Sequence, residues 1–149
     1  MHTNEDHIKL VNGLLKTTID SADGYAEAAK DAESARYKDL FERRAQERRS
    51  VASELEEEVR RLGGDPKDEG TALAAAHRAF LNLKDAVTKG DEAVISEVEA
   101  GEDFIKEKYE KALKDTDVDP QTRATIERAW TSVKSGHDQM RDIKLALKH

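Results

Sequence analysis

The chain has 149 residues, a formal net charge of −7, 38% charged residues and only 5% aromatic ones. An acidic balance works against binding a phosphate backbone, which requires clustered basic surface to displace counterions. The absence of cysteine excludes disulfides, thiolate metal sites and cysteine nucleophiles, and at this length one hydrophobic core suffices without such staples.

In chain order the periodicity predicts five helical segments. The first runs from about Asn4 to Ala32, with Thr3 or Asn4 as N-cap and Ile8, Val11, Leu15, Ala22, Tyr25 and Ala29 on one stripe. The second, about Ser34 to Leu62, carries Leu40, Phe41, Ala45, Val51, Leu55 and Val59 inward. It stops at Gly63-Gly64-Asp65-Pro66, because glycine serves a left-handed cap and proline cannot continue a helix. A shorter helix follows from about Thr71 to Lys89 on Leu73, Ala76, Phe80, Leu83 and Val87. Gly90 then closes it, and Asp91 is the expected N-cap of a fourth helix, about Glu92 to Lys114. Asp119 caps the fifth helix and Pro120 takes its first position; Ile126, Trp130, Val133, His137, Met140 and Lys144 form its stripe. No segment alternates with the period of a β-strand.

Four of these segments are about 23 to 29 residues long, roughly 35 to 44 Å each at 1.5 Å per residue. The third, near 19 residues, is long enough to return along most of a bundle. This pattern predicts one all-α domain over residues 1–149, a ferritin-like four-helix bundle with a helical crossover at about 71–89 between core helices 2 and 3. An up-and-down array of five helices is the alternative. The opening MHTNEDHIKL lacks the basic segment and apolar run of a signal peptide, and no apolar run approaches the roughly 18 residues that span a bilayer. A cytoplasmic protein without membrane or nucleic-acid partners is expected, and a homodimer or a protein partner fits a helical bundle.

The stretch EVEAGEDFIKEKY, residues 97–109, raises a chemical question. Val98, Ile105 and Tyr109 mark its inward stripe, and at 100° per residue Glu102 falls inside it. In the bundle topology Arg48 and Glu102 come to nearly the same height, with His137 about a turn away and Arg44 one turn from Arg48. Three readings compete for this level. A di-iron centre needs Glu from two helices and a Glu-x-x-His pair from each of the others, but the chain offers Glu42-x-x-Ala45, Glu47-x-x-Ser50 and Lys134-x-x-His137. A reduced site for one divalent iron, zinc or manganese ion would use Glu102, His137 and Glu99, against the repulsion of two fixed arginine charges. The third is an internal network in which Arg44 or Arg48 neutralises Glu102 and His137 completes the hydrogen bonding. This reading is favoured, with no cofactor expected, because it gives the inward arginines a role.

Other features are weaker. The basic run RRAQERR is interleaved with glutamate and reads as a solvated face plus two inward arginines. His77 borders the crossover stripe and marks a second polar position, more simply a surface histidine. Tyr25 and Tyr109 read as core aromatics with bonded hydroxyls, and His2, His7 and His149 lie near the termini. No nucleophile, glycine-rich phosphate loop or convergent catalytic set argues for an enzyme.

The order of Leu62-Gly63-Gly64-Asp65-Pro66, Gly70-Thr71 with His77-Arg78, Gly90-Asp91, Glu99-Ala100-Gly101-Glu102-Asp103 with Tyr109, and His137-Asp138 covers most of the chain. It resembles a bacterial family of uncharacterised ferritin-like four-helix-bundle proteins, a domain of unknown function. The resemblance implies a ferritin-like bundle of the stress-associated kind and carries no catalytic residues. It also draws attention to His77, Glu99, Glu102 and His137 as shared polar positions.

Overall fold

The computed structural model describes residues 3–66, 90–115 and 117–147. Among these residues the chain is all helical: α1 (Asn4–Asp31), α2 (Ala35–Arg61), α3 (Asp91–Lys114) and α4 (Pro120–Leu147). The expected crossover helix at about 71–89 lies outside the described residues, and His77 with it.

The helix ends follow from local chemistry. Thr3 caps α1 in a reciprocal box with Asp6, each side chain accepting the other's backbone N–H. After α2, Gly63 takes a φ of 90°, and the Gly63 and Gly64 amides bond back to Arg60 and Val59 as a Schellman cap. Gly64 also packs against α1, where a Cβ would meet the Ile8 side chain at 2.7 Å. Asp119 accepts the amide of Thr122 at the start of α4, with Pro120 in the first helical position as expected.

Asp91 departs from expectation. It is the first residue of α3, behind Gly90 at a φ of 101°, and its carboxylate does not cap its own helix. It crosses to α2 instead and accepts the amides of Glu33 and Ser34, both at 3.1 Å. Ser34, the N-cap of α2, makes no side-chain cap bond of its own, and a carboxylate from α3 takes its amide and stands at the positive end of the helix.

This contact places the start of α3 beside the start of α2. The apolar packing extends the same alignment along the bundle. Near one end Phe41 and Ala45 of α2 join Val94 and Ile95 of α3, with Tyr25 of α1 and Met140 of α4. Near the other, Leu55 and Val59 join Ile105 and Tyr109, with Leu15 of α1 and Ile126 of α4. Helices α2 and α3 are therefore parallel, and α1 and α4 run opposite to them. The close neighbours are α1 with α2, α3 with α4, α2 with α4, and α1 with α3, which leaves α2 and α3 facing each other diagonally. A polar layer separates the two apolar clusters, and it holds the residues of interest.

Candidate functional site

Arg48 and Glu102 meet in the centre of that layer. Arg48 is 0% exposed and Glu102 2%, and Arg48 Nη2 donates to Glu102 Oε2 at 2.8 Å. The other carboxylate oxygen accepts the Tyr25 hydroxyl at 2.8 Å, so both Glu102 oxygens are engaged. Arg48 Nη1 donates to Ser21 Oγ at 2.9 Å, and Nη2 also reaches the Val133 carbonyl at 3.3 Å. The guanidinium further lies 5.6 Å from the centroid of the Tyr25 ring, a cation–π distance. One side chain of α2 thus touches α1, α3 and α4. Arg48 Nε has no hydrogen-bond partner among the described residues.

Gly136 makes this reach possible. A Cβ there would strike Arg48 Nη2 and stand 3.1 Å from Arg44 Cδ. The missing side chain opens α4 to the arginine, which explains a glycine inside a helix where it would otherwise be unfavourable. Burial, reinforced by the neighbouring Glu102 charge, pushes the Tyr25 hydroxyl well above its usual range, so it stays a neutral donor. Tyr109, in the cluster beneath, is pushed up to about 12 by burial and bonds Thr18 Oγ1 at 2.8 Å.

The remaining expected members go elsewhere. Arg44 does not reach Glu102; it donates to Glu47 at 2.8 Å and to the Gln139 side chain. His137 does not join Glu102 either. His137, 4% exposed, points between α3 and α4, with Nε2 2.8 Å from Asp103 Oδ1 and Nδ1 3.4 Å from Asp138 Oδ1. Glu99 lies one turn before Asp103 and accepts from Lys144 at 3.0 Å. The expected set of Glu102, His137 and Glu99 is therefore split. Glu102 belongs to the interior, whereas Glu99, Asp103 and His137 come together with their ligating atoms all within 4.8 Å. The reason is angular: Asp103 is 100° further round α3 than Glu102, enough to move a carboxylate from the core to the groove.

A second polar knot closes the opposite end. Glu58 accepts from Arg61 at 2.8 and 2.6 Å and from the Thr122 hydroxyl at 2.7 Å. Burial pulls its carboxyl upward, but the Arg61 and Thr122 bonds outweigh that and hold it below the usual carboxylate range. His7 is buried there, and its Nε2 accepts the Asp119 amide at 3.1 Å. A histidine expected to be peripheral is thus a helix-joining acceptor, which only tertiary contact could disclose. On the surface, a groove between α2 and α4 is lined by residues of both charge signs, among them Arg36, Arg43, Asp138 and Asp142.

No helix among the described residues is long and apolar enough to cross a membrane. Residues 6–115 match a family described as a domain of unknown function, DUF2383. The match covers more than half of the chain, and the chain belongs to that family. No curated protein matches it.

Proposed function

We propose that this member of the DUF2383 family is a ferritin-like bundle of bacterial, cytoplasmic type that acts without catalysis, as a stress-associated or interaction protein. The observation that carries this reading is the buried guanidinium of Arg48. It occupies the centre of the bundle, the level at which ferritin-like di-iron proteins gather their carboxylates and histidines. Both oxygens of Glu102 are committed to Arg48 and Tyr25, and a fixed positive charge at bonding distance from that carboxylate repels a metal dication. The interior thus has a cation of its own.

The ferritin-like assignment draws support from the parallel diagonal pair α2 and α3. The end of α2 and the start of α3 lie at opposite ends of the bundle, about the length of a 27-residue helix apart, roughly 40 Å at 1.5 Å per residue, as that topology requires. The non-catalytic reading draws support from the polar layer itself, where Arg48 is paired with Glu102 and Arg44 with Glu47.

The test is iron oxidation. Untagged protein mixed with ferrous ion in air is expected to oxidise it no faster than buffer. A rapid phase stoichiometric with protein and lost in Glu102→Gln would contradict the reading and return Glu102 to a metal site.

A further inference from the structure

Outside the central pair, Glu99, Asp103 and His137 form a cluster that the interior network does not use. We propose that the α3–α4 groove binds a single divalent first-row transition-metal ion through Glu99, Asp103 and His137 Nε2, with Lys144 as the chain's own competing cation. The proposal is independent of the non-catalytic reading of the interior, since the two share no ligand.

Ligand type and placement come first. Glu99 and Asp103 lie one turn apart on α3 and present their carboxylates on one side, and His137 meets them from α4. Their ligating atoms lie within 4.8 Å of one another. An ion with bonds of about 2.1 Å joins atoms no more than ~4.2 Å apart, so no pair has to close by more than about 0.6 Å.

The surroundings of His137 point the same way. Nε2 is directed at Asp103, and the Asp138 carboxylate stands on the Nδ1 side of the ring. A metal-bound imidazole commonly has such a carboxylate on its other nitrogen, fixing tautomer and orientation.

Lys144 occupies the cation position beside Glu99. The Glu99 side chain is only 14% exposed, and Lys144 Nζ has been drawn to 3.0 Å from it. A lysine ammonium is a compact point charge on a long stem. It can neutralise Glu99 in the metal-free state and withdraw when an ion with stronger claims arrives. Asp103, 58% exposed, leaves the outer side of the site open, so water completes the coordination.

The donor set selects the class of ion. One imidazole with two carboxylates suits zinc, manganese or ferrous ion; calcium and magnesium favour all-oxygen sets, and cuprous ion favours sulfur.

Calorimetric titration of the full, untagged chain with zinc, after chelator treatment, tests the site. Wild type is expected to bind one ion per chain, with calcium giving no comparable heat. Asp103→Asn and His137→Gln should each weaken zinc binding at least tenfold with helical circular dichroism unchanged. Lys144→Met should tighten it several-fold by removing the competing charge. Failure of wild type to bind zinc stoichiometrically would overturn the proposal. So would wild-type affinity in Asp103→Asn, which a site built on Glu102 or on the terminal histidines would show, or unchanged or weaker binding in Lys144→Met.

Discussion

At position 136 a single methyl group separates two opposite outcomes. Replacing an interior helix glycine by alanine ordinarily stabilises by about 1 kcal/mol. Gly101, exposed on α3 with nothing near its would-be Cβ, should follow that rule. Gly136 should not, because its Cβ would press on an arginine held by Glu102, Ser21 and the Val133 carbonyl. Overpacking against a side chain that cannot withdraw costs roughly 1–3 kcal/mol, so Gly136→Ala is expected to destabilise while Gly101→Ala stabilises. Urea unfolding of the two variants decides; a gain in both would mean that Arg48 moves freely. The sequence made Glu102 and Arg48 legible, since a charge on an apolar stripe stands out. It left Tyr25, Ser21 and Gly136 obscure as their partners, and it joined His137 to the wrong carboxylate. Periodicity assigns a residue to a face but does not resolve which of two adjacent acids a neighbouring helix meets.

Between elements, the ends of the helices were more legible than the ties that join them. Gly63-Gly64 and Pro120 obey local rules and were read from them, and Thr3, one of two expected caps, is the one the helix uses. Asp91 obeys a local rule in the sequence but a tertiary one in the fold, where its carboxylate serves the start of α2. Glu58 and Thr122 likewise tie the end of α2 to the start of α4, with no signature in either segment alone. The tie should depend on pH. Folding lowers the pKa of Glu58, so its stabilising contribution is full above the unfolded carboxylate value near 4.3 and is lost as pH falls through the lower folded value. The stability gap between wild type and Glu58→Gln, measured by denaturant unfolding, should be large at about pH 7 and shrink toward about pH 3. A gap constant across that range would show that the carboxylate charge plays no part.

For the molecule as a whole, the directions of the four helices were expected from their lengths and from the long connection between Leu62 and Gly90. The placement of α2 parallel to α3 agrees with that plan. What length and periodicity could not supply is the number of helices that one residue joins. Arg48 contacts α1 through Ser21 and Tyr25, α3 through Glu102 and α4 through Val133. The polar layer ties the helices to one register, since Arg48 meets Ser21, Glu102 and the Val133 carbonyl only with all four helices at these heights. A buried pair of this kind adds little net stability over apolar replacements, yet removing one partner strands the other charge. The coupling between Arg48 and Glu102 is therefore the deciding quantity. Denaturant unfolding of Arg48→Met, Glu102→Leu and the double variant measures it. Each single substitution is expected to cost on the order of 3 kcal/mol, and the double variant less than either. Single losses below about 0.5 kcal/mol, or a double loss equal to their sum, would contradict the claim that this pair holds the bundle in register.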